Sequence, residues 1–488
     1  MRVSTIMMPH QNRPRDMGTT ISVSGRPGGV LARFAATDVA VLFLVLGLLG
    51  VLPLVFLTPP FQVPDEQQHF YRAYQLSELD LRGVVQGGAA GAVLPSSLPE
   101  LADRFLGTRA IHTDRPVRPT PLQETLKALA MPLDPIRRQF VDFSGAAFYS
   151  PLPYLPQAVA IAVGRGWGLG PLGLLYAARL ANGFAALLVV AAALRALPVG
   201  NMVLLVLGLL PMELYEFASA SPDAAMISAA FLFTAIAMRA RFCGRWGWGQ
   251  VGLACVAGCV FCPLKPVYAP LLVMGLPGVF RRGAAGHVIA VHAVLITTVL
   301  GATGLWLAYI SSTLVLPVQG ANLSQQFAGI IGHPGVFAGT VLNTIRVNGL
   351  FYFYGTIGIL GWLRIPLPET MYLLPMIAVL VCVMLRHPAT PRIGPAEALW
   401  QLLLLGISGL LVLIALYLYW TPVGEHVISG VQGRYFLPLA GLVAVVLGAA
   451  MPPRPRTLGP LLESVVVLTV AIEVVWTSVV VMQAYKVF

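Results

Sequence analysis

The chain has 488 residues, of which 57% are hydrophobic and only 10% charged, and its mean hydropathy is +0.79. Soluble domains carry about a quarter charged residues, so this balance excludes a soluble globular protein and indicates an integral membrane protein. The net charge of +11 does not point to nucleic acid, because the basic residues do not cluster with interleaved aromatics on one soluble segment.

Apolar runs recur at the roughly 17 to 25 residues a helix needs to span hydrocarbon, without the alternation of a barrel strand, so the expected class is an all-α polytopic protein. Residues 1–37 carry Arg2, Arg13, Arg15, Arg26 and Arg33 against Asp16. They read as a cytoplasmic basic tail. The first transmembrane helix is placed at 38–57, with nineteen uncharged positions from Val39 to Leu57 and no small-residue cleavage site. Residues 58–170 then form a long external loop ending in a half-inserted helix, because "FYSPLPYLPQAVAIAVGRGWG" is broken by three prolines. Transmembrane helices 2–7 follow within 171–316, at 172–194, 202–217, 224–238, 251–261, 267–279 and 288–314. A second external region, 317–369, is expected to lie along or dip into the membrane. Helices 8–11 occupy 370–488, at 371–385, 399–420, 436–450 and 461–482. This layout of about eleven spans puts Arg195, Arg239, Arg241, Arg245, Arg281, Arg282, Arg386, Arg392, Arg454 and Arg456 on the cytoplasmic side and the C-terminus outside. The five cysteines lie in or beside apolar runs and read as small hydrophobes.

The same layout brings "PDEQQH", "YSPLPY", "SASPDA", "GWLR" and "GVQGRY" to one face, the outer one. In "PDEQQHFYR", Pro64 suits a first helical position, with Asp65 and Glu66 in the first turn. A helix there also aligns Asp65, His69 and Arg72 on one face, where a carboxylate could act as a general base or hold a divalent cation. In "PMELYEFASASPDA", Glu213 and Glu216 lie near a span end and Asp223 just beyond, while Ser221 and Pro222 suit the cap and first position of the next helix. Arg179, Lys265 and Arg434 are the cations that could grip a phosphate. Tyr149, Tyr154, Tyr268, Tyr352, Tyr354 and Trp362 could stack on sugar rings, although aromatics at a membrane boundary are belt residues by default.

The ordered set "PPFQVPDEQQHFYRAYQ", "YSPLPYLPQ", "RLAN", "SASPDA", "LKPVYAPL", "GILGWLRIPLP" and "GVQGRYFLPL" resembles the bacterial membrane-protein family known as domain of unknown function 2142. That family is similar to GT-C type glycosyltransferases. The resemblance implies a multi-span enzyme of the bacterial cytoplasmic membrane. It would move a sugar, on the external face, from a polyprenyl-phosphate or polyprenyl-diphosphate donor to a glycan or lipid acceptor, with membrane lipids as surroundings and no nucleic acid partner. It implies Asp65 and Asp223 as catalytic acids or as ligands of Mg or Mn if a metal is used, with Glu66, His69 and Glu216 supporting them. Lys265, Arg434 and Arg179 would hold the donor phosphate. Tyr149, Tyr154, Tyr268, Trp362, Gln432 and Tyr435 would line the substrate site. The resemblance also leads one to expect an acid after "GWL", where this chain has Arg364. A transporter or flippase for a lipid-linked sugar is the competing expectation.

Overall fold

A computed structural model describes residues 38–106, 117, 119–244, 246–280, 285–315, 320–384, 392–449 and 459–487. The basic tail 1–37 and Arg245, Arg281, Arg282, Arg386, Arg454 and Arg456, which carry much of the charge asymmetry, lie outside the described residues.

The protein is mostly helical. Among the described residues six helices are long and apolar enough to cross a membrane: α1 (Val39–Leu57), α6 (Pro171–Ala196), α9 (Asp223–Cys243), α11 (Ala285–Ile310, with a 3-10 turn to Thr313), α15 (Pro395–Trp420) and α17 (Gly459–Tyr485). Shorter apolar helical segments are α10 (Trp248–Phe261), the 3-10 pair Pro266–Val273 and Leu276–Phe280, α14 (Glu369–Met384), and the 3-10 turn Gly433–Leu439 running into α16 (Ala440–Ala449). The expected span at 202–217 is not one helix. It is broken into α7 (Asn201–Leu207) and α8 (Pro211–Phe217), because Pro211 lacks an N–H and pushes Leu210 into extended backbone, at φ −55° and ψ 146°. The break frees α8 to turn its acids inward.

The expectation of an all-α chain also needs correcting. The first loop folds helices α2 (Glu66–Ser77), α3 (Ser97–Leu106) and α4 (Leu122–Leu129) around an antiparallel sheet of β1 (Val84–Gln86), β2 (Ala89–Pro95) and β3 (Arg138–Asp142). Gly87 and Gly88, at φ 60° and 81°, supply the tight two-residue turn between β1 and β2. This layer has its own core, including Phe61, Phe70, Tyr71, Tyr74, Leu98 and Phe143, which merges with Leu172 and Leu175 of α6. The prolyl segment gives a 3-10 turn and then α5 (Leu155–Gly166), whose twelve residues rise about 18 Å, short of the about 30 Å of hydrocarbon.

Contacts between distant segments collect at two ends of the bundle. At one, Trp306 donates to the Phe148 carbonyl, the Thr120 and Leu122 amides bond the Tyr485 and Val487 carbonyls, and Arg434 reaches Asp65. At the other, Arg195 pairs with Asp38, Arg241 pairs with Glu397, and Trp400 donates to the Val273 carbonyl. The last helix thus ends beside the first loop. In the 320–384 region, α12 (Leu323–Gly332) and α13 (Pro334–Gly358) lead into the short hairpin β4 (Ile359–Leu360) and β5 (Ile365–Pro366), which closes over the same end as the loop. The cysteines are free, and Cys262 and Cys382 are buried.

Candidate functional site

The "FQVPDE" stretch makes a strained turn between α1 and α2. Phe61 and Asp65 hold φ 63° and 65°, a left-handed conformation that costs a non-glycine residue about 1 kcal/mol or more. Helix α2 begins at Glu66, so Pro64 is not its first residue, and Asp65 sits at the N-cap position without making a capping hydrogen bond. The Asp65 carboxylate is instead turned to Arg434, whose Nη2 donates to Oδ2 at 2.7 Å, and 37% of the Asp65 side chain stays exposed.

Glu66, one residue on, points into the bundle. Arg179 on α6 donates to it through Nε at 2.7 Å and Nη2 at 2.6 Å, and the Phe61 and Ala220 amides donate to the same carboxylate at 3.0 Å each. The remaining Arg179 donors go to the Val55 and Thr58 carbonyls at 2.8 Å and the Pro59 carbonyl at 3.1 Å. All five N–H groups of the guanidinium are therefore used, and both side chains are fully buried. Arg179, expected in the phosphate grip, is committed to a clamp that ties the end of α1, the head of α2 and the loop before α9 to α6.

His69 lies one turn along α2. Its Nδ1 is 2.8 Å from the Tyr154 hydroxyl and its ring stacks on Tyr149, with centroids 5.9 Å apart. Burial pushes its pKa down to about 4, against the opposing pull of the Asp65 and Asp223 carboxylates. Arg72 is spent on Gln75 and on the Leu81 and Tyr149 carbonyls, so it orders the loop. Tyr154 and Tyr268 are not open platforms for a sugar. Both are completely buried, and the Tyr268 hydroxyl donates to the Tyr435 carbonyl at 2.8 Å. Tyr149, Trp362, Gln432 and Tyr435 remain half-buried.

The second acid group comes from α8 and α9. Helix α9 starts at Asp223 with Pro222 just outside it, and the Ser221 hydroxyl accepts from the Asp223 amide at 3.2 Å, which leaves the Asp223 carboxylate free of capping duty. Its Oδ1 accepts from Lys265 Nζ at 2.8 Å. Arg434 Nη1 lies 3.3 Å from Glu216 Oε1, 3.3 Å from the Pro64 carbonyl and 4.0 Å from Asp223 Oδ2. One guanidinium thus bridges Asp65, Glu216 and Asp223. The Tyr435 ring lies beneath both cations, 4.6 Å from Lys265 Nζ and 5.6 Å from Arg434 Cζ. Arg434 gets this close because Gly433 lets the 3-10 turn press on α13. A Cβ on Gly433 would meet the Gly355 carbonyl carbon and the Thr356 nitrogen at 2.2 Å.

Asp65 and Asp223 do not make a convincing seat for Mg or Mn. Each already faces a cation, Arg434 stands between them, and among the described residues no group of three or more His, Cys, Asp or Glu side chains is set to hold a metal ion. Mg takes six oxygens and can draw most of them from water and substrate phosphate, so what argues against it here is the cation already beside each carboxylate.

Trp362 does something its sequence context does not reveal. Gly361, Trp362 and Leu363 all have positive φ, of 55°, 56° and 61°, and the Trp362 Nε1–H donates to the Phe61 carbonyl at 3.0 Å. One strained turn thus holds the other, the one that carries Asp65. No pattern in "GWLR" signals this, since two consecutive non-glycine residues in left-handed backbone have no sequence signature.

No curated protein and no solved structure matches the chain. A match to the family described as Predicted membrane protein (DUF2142) runs over residues 48–443, well over half of the sequence and enclosing Asp65, Glu216, Asp223, Lys265 and Arg434, so the chain belongs to this family of membrane proteins.

Proposed function

We propose that the protein is a membrane glycosyltransferase of GT-C type, moving a sugar from a polyprenyl-phosphate or polyprenyl-diphosphate donor to a glycan or lipid acceptor at the external face of the bacterial cytoplasmic membrane. The observation that carries this reading is the bridging of Asp65, Glu216 and Asp223 by Arg434 beneath the folded first loop, with Asp65 the best exposed of the three acids. A reaction between a lipid-linked donor and a polar acceptor needs such a place, where a carboxylate and fixed cations meet at the end of the membrane helices under a cap that limits water.

In this reading the acceptor hydroxyl gives its proton to the Asp65 carboxylate as its oxygen bonds to the anomeric carbon. The bond from that carbon to the phosphate oxygen breaks, and the electron pair leaves with the phosphate. Lys265 and Arg434 face the growing negative charge, and direct departure of the phosphate inverts the anomeric centre. In this reading the half-buried Gln432, Tyr435, Tyr149 and Trp362 border the sugar. What supports the external reading is the opposite end of the bundle, where Arg195 pairs with Asp38 and Arg241 with Glu397, both in the short basic segments that the positive-inside rule assigns to the cytoplasm.

The test is Asp65→Asn in proteoliposomes supplied with a radiolabelled polyprenyl-phosphate sugar. Loss of a general base predicts transfer reduced by about 10²–10⁴. Full transfer by the variant would sink the catalytic role of Asp65. Wild-type protein that shows no transfer but moves the lipid-linked sugar between leaflets, and loses that movement in the variant, would support the flippase instead.

A further inference from the structure

The cluster holds more acid than its cations can neutralise. Glu216 has one oxygen on Arg434, while its Oε2 is buried without a hydrogen-bond partner. One turn back on α8, Glu213 is fully buried and neither of its carboxyl oxygens is bonded. The cations keep donors in reserve: Arg434 Nε is buried with no partner, and Lys265 Nζ, an ammonium with three N–H groups, gives one to Asp223.

The charged groups facing Glu216 are Arg434 from the Gly433–Leu439 turn, Asp223 from the head of α9, Lys265 from the turn after α10, and Glu213 from its own helix. The other elements packed on α8 add nothing free to this balance. Helix α1 and strand β4 carry no charge, α6 brings Arg179, which is spent on Glu66, and Arg346 of α13 is exposed. From α17 come Tyr485, which faces Tyr215, Glu473, which is buried with no charged neighbour among the described residues, and Glu463, ten residues back along the helix.

An anion that enters against Arg434 and Lys265 therefore meets Asp65, Asp223 and Glu216 already there. Its charge offsets that of Arg434, the one cation that Glu216 contacts among the described residues, and leaves this carboxylate uncompensated. A buried carboxylate that loses its cation takes up a proton rather than remain charged in a desolvated place. We propose that binding of a phosphodiester headgroup at Arg434 and Lys265 is coupled to the uptake of one proton by the Glu213–Glu216 carboxyl pair. The proposal rests on the reading of Arg434 and Lys265 as the donor-phosphate grip. No bond of the phosphodiester changes in this step: a carboxylate becomes a carboxylic acid, with the proton drawn from solvent.

The coupling is tested on the purified full-length chain in detergent with a short-chain prenyl phosphodiester, which has no group titrating near neutral pH. Calorimetry in two buffers of different protonation enthalpy counts the protons. About one proton taken up per probe bound is expected, with affinity falling by up to tenfold per pH unit as the solution becomes more alkaline. In Glu216→Gln, which carries a permanently neutral side chain, binding persists while proton uptake and pH slope shrink. Binding by the wild type without proton uptake overturns the coupling and leaves the phosphate grip standing. Undiminished uptake in a Glu213→Gln/Glu216→Gln variant overturns the assignment to this pair. No binding at any pH overturns the phosphate grip itself, and the coupling with it.

Discussion

Replacing Arg179 by Met separates a structural clamp from a phosphate ligand. The pair with Glu66 has 0% exposure on both sides, and removing one member of such a pair costs about 3–5 kcal/mol because the other is left charged and buried. Two further terms act in opposite directions. Glu66 keeps the Phe61 and Ala220 amides, which soften the loss, while the Val55, Thr58 and Pro59 carbonyls lose their donor at about 1 kcal/mol each. The expected destabilisation is thus about 4 kcal/mol, read as a lower thermal unfolding midpoint of detergent-purified protein by tryptophan fluorescence. Arg179→Lys recovers little, since one ammonium cannot serve a bidentate carboxylate and three carbonyls together. Adding Glu66→Gln to Arg179→Met removes the buried charge and should restore about 2 kcal/mol, which makes the two substitutions strongly non-additive. The reasoning is refuted if Arg179→Met unfolds at the wild-type temperature but no longer binds a prenyl phosphodiester, because Arg179 would then belong to the grip.

Three other outcomes follow from the geometry. His69 is held neutral, with its pKa near 4 against about 6.5 in an unfolded chain, so the unfolded state binds the extra proton between those values. Stability is full above pH 6.5, falls by about 3 kcal/mol as the pH drops to 4, and His69→Gln should flatten that part of a denaturation-versus-pH curve. Trp362→Phe keeps a ring but removes the donor to the Phe61 carbonyl; one hydrogen bond of about 1 kcal/mol that holds the Asp65 turn predicts sugar transfer slowed by up to about fivefold, with stability lowered by no more than that bond, and an unchanged rate would deny the latch. Gly433→Ala places a Cβ against the α13 backbone at 2.2 Å, a collision no rotamer relieves, so Arg434 should be displaced and phosphodiester binding lost, as titration of the purified variant would show.

The members of the charged cluster are legible in the sequence. Asp65, Glu216, Asp223, Lys265 and Arg434 stand out because ionisable groups are scarce in a chain with 10% charge and these lie at the ends of apolar runs, where each needs a reason. Their convergence could be read from the alternation of basic loops. Their division of labour could not. Arg179 and Arg434 look equivalent in sequence, yet one spends every donor on buried carbonyls and Glu66, and the other bridges three acids. Tyr154 and Tyr268 were indistinguishable from Tyr149 and Tyr435 until burial separated them. The apolar run 202–217 is long enough for one span, yet Pro211 breaks it into two short helices.

By itself the sequence determined the class of the protein, the approximate course of its apolar helices and the short list of ionisable residues with functional promise, because solvation by lipid leaves a signature in hydropathy and in charge placement that needs no tertiary contact. Only the tertiary structure decided which carboxylate faces which cation, since Asp65 and Arg434, more than three hundred residues apart in the chain, are brought to 2.7 Å by left-handed turns and by the close approach of Gly433 to Gly355. Those choices depend on packing between distant pieces of chain, and packing has no local pattern.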